Sequence, residues 1–162
     1  MKTMEWKKPG DKTKWGQGPW LFEPDQVQWV DEATGLTCIA RRNMRGGNWC
    51  GYVGVNDGHP YFKKGYDDVE ADVHGGLTYA DLCEGEPGEG ICHLPAPGEP
   101  DAVWWLGFDC AHAWDRRPGD EAMWREIGKP ELALPEPNAR YRTLQFVKDE
   151  CAKLAAQLKA AA

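Results

Sequence analysis

The sequence predicts an α+β fold: a mostly antiparallel sheet packed against a long C-terminal amphipathic helix. Short apolar stretches with strand-like alternation recur between Gly-, Asn- and Asp-rich breaks from Gln26 to Phe108. Tyr141, Leu144, Val147, Cys151, Leu154 and Leu158 then form one apolar stripe at helical spacing. The chain has 162 residues and is 41% hydrophobic, which fits a single domain, residues 1–162, with a core of its own.

Each element follows in order. Residues 1–19 are polar and rich in Lys, Gly and Trp, and are expected to lie as an arm over the domain. Residues 20–134 read as mainly β with long loops. Residues 26–31 and 36–41 alternate around Glu32-Ala33-Thr34-Gly35, a hairpin turn. Arg45-Gly46-Gly47-Asn48 marks the next turn, and residues 49–55 form a strand that Asn56-Asp57-Gly58-His59-Pro60 ends. Residues 61–68 read as a loop. Residues 69–73 read as a strand that delivers His74. Residues 85–100 read as a long surface loop, broken by residues 91–94. Residues 102–108 fit a central strand, on which Trp104 and Trp105 face opposite ways, so one of them leaves the main core. Residues 119–127 predict a short helix. Pro135-Glu136-Pro137 breaks the chain, and Asn138 caps a helix over residues 138–160.

Charge narrows the partners. The net charge is −7 and the pI about 5.1, which disfavours binding to a phosphate backbone, so no nucleic-acid partner is expected. Local basic clusters remain at Arg41, Arg42 and Arg45, and at Arg116 and Arg117. No apolar run approaches the roughly 20 residues of a membrane span. The N-terminal residues lack the apolar core of a signal peptide, so a cytoplasmic location is expected, with the six cysteines as reduced thiols or metal ligands.

Chemistry concentrates in residues 73–115, which hold three of the four histidines and three of the six cysteines. Cys83, Cys92, Cys110 and His112 are a possible zinc set, with His93 as an alternative ligand, although no Cys-x-x-Cys pair supports it. Small buried thiols are the plainer reading. Cys110 beside His112 or His74 is a weaker candidate for a nucleophile. Asp109, His112, Asp115 and His74 could serve an acid–base or metal-assisted hydrolase, or be turn and cap residues. A pocket without chemistry would use His74, Gly75, Gly76, Tyr79, Trp105, Asp109, His112 and Asp115. In it the glycine amides meet an anion and an aromatic ring stacks on the ligand. Arg41, Arg42, Arg116 or Arg117 would neutralise phosphate there. The plain reading of Gly75-Gly76 is a tight turn.

Several strings carry a resemblance. They are Gly51-Tyr52-Val53-Gly54-Val55, Gly58-His59-Pro60, Val73-His74-Gly75-Gly76-Leu77-Thr78-Tyr79, Ile91-Cys92-His93, and Trp104-Trp105-Leu106-Gly107-Phe108-Asp109-Cys110-Ala111-His112. With Tyr141-Arg142-Thr143-Leu144 ahead of an amphipathic helix, the chain resembles a family of small proteins encoded by bacteriophages and prophages, over about residues 48–158. Related sequences are expected to carry Gly where this chain has Trp114. The resemblance implies a phage accessory role in the cytoplasm of an infected bacterium, with counter-defence as the implied theme. The leading expectation is binding of a small anionic, nucleotide-derived ligand. A small hydrolase or nucleotide-processing enzyme using the same residues is the alternative. A third reading is an inhibitor that binds a host defence protein. A homo-oligomer sharing pockets through the helix fits the first.

Overall fold

A computed structural model describes residues 3–83, 91–94 and 102–162. Six strands form one sheet in the order β1-β2-β3-β4-β6-β5, with every neighbouring pair antiparallel. The strands are β1 Met4–Trp6, β2 Gln26–Val30, β3 Thr37–Arg42, β4 Trp49–Asn56, β5 Tyr79–Leu82 and β6 Val103–Asp109. Among the described residues two α-helices accompany the sheet, α1 Pro118–Glu126 and α2 Leu144–Ala161. The α+β architecture with a C-terminal helix is therefore as the sequence predicts.

The first hairpin forms for local reasons. The Asp31 carboxylate accepts from the Thr34 backbone N–H at 3.0 Å and its hydroxyl at 2.6 Å. Gly35, at φ 75°, then turns the chain into β3. In the centre, β4 pairs with β3 on one side and β6 on the other. Alternation along β4 sends Trp49, Val53 and Val55 into a core with Val147, Cys151, Leu154 and Leu158 of α2. Each large apolar side chain buried here contributes about 1.5–3 kcal/mol. Gly51 lets α2 settle on the sheet, since a Cβ there would stand 2.8 Å from Cys151 Sγ. Ile39, Tyr52, Ile91, Val103 and Trp105 make a second cluster on the other face. Trp105 thus leaves the main core while Trp104 packs against it.

Three expectations change. The N-terminal arm supplies the edge strand β1, paired with β2 through Met4–Gln28 and Trp6–Gln26. Residues 69–73 pair with no strand. Val69 and Val73 are buried against the helix-side core, so their alternation reflects packing beneath α2 rather than a sheet ladder. Strand β5 lies instead at 79–82, after the Gly75-Gly76 turn. Helix α2 begins later than Asn138: Thr143 is its cap, and its hydroxyl accepts from the Phe146 N–H at 3.2 Å. Most of the long loop expected over 85–100, residues 85–90 and 95–100, lies outside the described residues.

The segment before α2 is tied to the other end of the sheet by a buried arginine. Arg42 Nε donates to Asp25 Oδ1 at 3.0 Å, and Nη1 donates to Tyr141 Oη at 2.7 Å. Its guanidinium lies 4.4 Å from the centre of the Trp49 ring. Lys12 Nζ also reaches Asp25 Oδ1, at 2.8 Å.

Candidate functional site

The site sits where the end of β6 meets the turn at residue 74 and the start of α2. Helix α2 holds that turn. The Asp72 N–H donates to Gln157 Oε1 at 2.7 Å, and Gln157 Nε2 returns a bond to the Asp72 carbonyl at 2.9 Å. The His74 N–H donates to Glu150 Oε2 at 3.3 Å. Gly75 and Gly76 follow with φ of 69° and 81°. A Cβ on Gly75 would overlap the His112 ring, so glycine there lets the two segments touch.

The second segment leaves β6 at Asp109. A turn closes when the Asp115 N–H donates to the His112 carbonyl at 2.9 Å. Asp115 then bridges to Arg140 on the strand-like segment ahead of α2. That bridge brings Arg142 to the site.

Asp115 is the centre. Its side chain has 0% exposure, against 10% for His74 and 19% for His112. His74 Nε2 lies 2.9 Å from both carboxylate oxygens. His112 donates to Oδ2 twice, from Nδ1 at 3.0 Å and from its backbone N–H at 3.1 Å. Arg142 Nε donates to Oδ1 at 2.8 Å. Burial would raise the Asp115 pKa, but the bonds from His74, the His112 amide, Arg142 and the His112 ring outweigh it and hold the carboxyl below its ordinary value. It is therefore a carboxylate at neutral pH.

Aromatic rings enclose the pair. His112 stacks on Trp114 with ring centres 4.8 Å apart and planes 3° from parallel. His74 packs edge-on against Phe146 at 5.1 Å. Trp114 is 49% exposed and forms the outer edge. Beside His112 and Asp115 opens a cleft of about 210 Å³, lined also by Arg116, Arg117, Trp124 and Leu132.

Of the residues the sequence points to, His74, Gly75, His112 and Asp115 converge. Asp109 stands at the rim: its Oδ1 is 3.8 Å from His112 Nε2, and its Oδ2 accepts from the Thr78 hydroxyl at 2.9 Å. The Gly76 N–H closes its own turn on the Val73 carbonyl at 2.9 Å and is not offered to a ligand. Tyr79 and Trp105 lie on the opposite sheet face. Tyr79 packs edge-on against Tyr52 at 5.3 Å, and Trp105 is fully buried. The cause is strand parity: Tyr79 pairs with Gly107 and shares the face of Trp105, not that of the helix.

The basic residues sort differently from expectation. Arg42 is enclosed in its own network. Arg116 pairs with Glu121 at 2.8 Å and Arg117 with Asp120 at 3.2 Å. Arg41 lines a separate cavity of about 540 Å³ with Lys8, Cys50 and Tyr52. Burial and Arg41 together push the Lys8 amine down to about 8. The arginine at the site is Arg142, which the sequence reading did not select. Its signal was its place in Tyr141-Arg142-Thr143-Leu144, directly ahead of the cap of α2.

The cysteine expectations are corrected. Cys83 and Cys92 form a disulfide, with Cα atoms 4.6 Å apart. Trp105 Nε1 donates to Cys83 Sγ at 3.3 Å, and His93 Nδ1 is 3.6 Å from the same sulfur. Cys110 is buried in the helix-side core, away from that pair, so Cys83, Cys92, Cys110 and His112 do not form one zinc set. Burial, with Asp115 nearby, pushes the Cys110 thiol well up, which removes it as a nucleophile. A bonded pair also departs from the all-reduced state expected of a reducing compartment. Cys151 is buried in the α2 stripe with its thiol raised, as its position implies. Two groups could hold a metal by donor type and proximity: His74, His112 and Asp115, and Cys83, Cys92 and His93, the latter once its disulfide is reduced.

No helix among the described residues is long and apolar enough to cross a membrane. Comparison of the chain with protein-family models, curated proteins and solved structures finds no match.

Proposed function

We propose that this chain is a phage accessory protein that binds a small anionic ligand at the His74–Asp115–His112 centre and in the cleft beside it. One observation carries the reading. A single buried carboxylate gathers two imidazoles and the Arg142 guanidinium, and Asp115 and His112 border a cleft whose wall also holds Arg116, paired with Glu121, and Arg117, paired with Asp120. The lining also carries Asp120, Glu121 and Glu136, so an anion would be met by the donors of the centre, the imidazoles and the Arg142 guanidinium, rather than by an excess of positive charge in the cleft.

Size limits the ligand. Pockets that enclose a drug-sized molecule measure about 300–1,000 Å³. The cleft measures about 210 Å³, which suits a phosphate or carboxylate with a small body attached. A larger nucleotide would extend outward over the exposed Trp114 ring, where stacking is possible. The resemblance to phage-encoded proteins supplies the setting, and counter-defence by capture of a nucleotide signal belongs to the same proposal.

A titration calorimetry panel of inorganic phosphate, mononucleotides and cyclic dinucleotides tests it. One class is expected to bind, and His112→Ala and Arg142→Ala are each expected to weaken it about 10-fold or more, equivalent to 1.4 kcal/mol. The His112→Ala melting temperature should stay near that of the parent chain, and Arg142→Ala, which takes the guanidinium from the buried Asp115, is compared at a temperature where it is fully folded. Binding by neither parent nor variants, or equal binding by both, overturns the proposal.

The small-hydrolase reading has one observation in its favour. Asp115 holds His112 through Nδ1, which leaves Nε2 as the nitrogen able to take or give a proton. Recovery of the bound nucleotide after denaturation separates the two: intact ligand supports capture, and a cleaved product supports turnover.

A further inference from the structure

We infer that His74, His112 and Asp115 form a binding site for one divalent transition-metal ion. The inference rests on the same site as the ligand reading and assigns it a cofactor class. His74 Nε2, His112 Nδ1 and an Asp115 oxygen are donors of the type such ions take, and the group's ligand atoms lie within 4.8 Å of one another.

The distances suit an ion. Zinc binds imidazole nitrogen at about 2.0–2.1 Å and carboxylate oxygen at about 2.0–2.2 Å, so adjacent ligand atoms on one ion stand roughly 3 Å apart. Here His74 Nε2 is 2.9 Å and His112 Nδ1 3.0 Å from Asp115 oxygens. An ion can replace the shared protons with little movement of the rings.

The outer contacts are also in place. Metal-bound carboxylates are themselves held by hydrogen bonds from outside the coordination sphere. The His112 N–H and Arg142 Nε would supply these to Asp115 without touching the ion. Arg142 pairs with the carboxylate from outside the set, 2.8 Å from Oδ1. Ligands come from two segments, and Gly75 allows them to close. With the ion bound, the centre carries net positive charge, which is what an anionic ligand requires.

Zinc is the probe for the test. The untagged chain, stripped with chelator, is titrated with zinc and weighed by native mass spectrometry. One zinc per chain is expected. Loss of an outer-shell partner alone costs up to about 100-fold in metal affinity, so His74→Ala and His112→Ala should each cost at least that. His112 is the more exposed of the two, so its variant carries the test if His74→Ala fails to fold. No uptake by the parent chain overturns the inference. So does undiminished uptake by both histidine variants, or uptake lost in Cys83→Ser instead. Phosphate titrated into stripped and zinc-loaded protein keeps the two readings apart. Phosphate binding without zinc uptake leaves the ligand reading and removes the metal. Zinc uptake without phosphate binding does the reverse.

Discussion

Two buried carboxylates, Asp25 and Asp115, are built alike and serve different ends. Each has almost no exposed side chain, each is paired with an arginine, and each is held below its ordinary pKa although burial pushes the other way. Their remaining partners differ. Asp25 meets Lys12 and the Lys8 amide, and its arginine is itself wholly enclosed. Asp115 meets two imidazoles, and its arginine is 21% exposed. A permanent cation in a closed network has nothing further to offer. An imidazole has a second nitrogen, and it can exchange its proton for a metal ion. The first carboxylate ties the N-terminal segment to the end of β3; the second, on the proposed reading, presents its histidines at the start of the helix.

The largest expected effect separates the two directly. Asp25→Ala removes one of the two carboxylates on the enclosed Arg42 guanidinium, leaving Glu23 Oε1 at 3.3 Å, and should cost about 3 kcal/mol by urea unfolding. Asp115→Asn leaves imidazoles that can be neutral and an arginine that can reach water, and should cost about 1–3 kcal/mol. Equal losses would mean that Asp115 is a structural anchor of the same kind as Asp25.

Acid titration sharpens the same contrast. The Asp25 carboxyl is lowered from its ordinary value of 3.8, because hydrogen bonds from Lys12, the Lys8 amide and Arg42 outweigh desolvation. Its stabilisation is present in full above that value and is lost as the pH falls through the lower, folded value. The stability gap between the parent chain and Asp25→Ala should hold steady from neutral pH to about 5, then close with further acid. A gap that widens in acid would reverse the sign and remove this account.

Gly75→Ala should have the smallest effect on stability and a large one on the site. Left-handed backbone costs an alanine about 1–2 kcal/mol. The new methyl group would also displace the His112 ring. Zinc and phosphate binding should fall further than the melting temperature suggests. Gly76→Ala, with no atoms near its Cβ position, provides the matched control at similar φ.

Much of the fold was legible because its signals are local. The Asp31–Gly35 turn, the break at Gly58 and the apolar stripe of α2 each depend on residues a few positions apart. Strand β5 and the false strand at 69–73 were not. Val69 and Val73 alternate as a strand does, but the burial behind that pattern comes from α2, some 80 residues later. At the site, the segment 74–115 was legible from its density of His, Asp and Gly. The choice among its members was not, because Asp109 and Asp115 look equivalent in sequence and only one reaches both histidines.

The sequence by itself determined the fold class, the turns that order the sheet, and the segment that holds the candidate site, since glycine conformation and side-chain periodicity act over short range. The tertiary structure decided the rest. Sheet-face parity removed Tyr79 and Trp105 from the site, the approach of residue 83 to residue 92 made a disulfide of two expected thiols, and the bridge from Asp115 to Arg140 brought in Arg142. These depend on distant segments meeting across a sheet, and the free energy of such contacts is not expressed in any short stretch of chain.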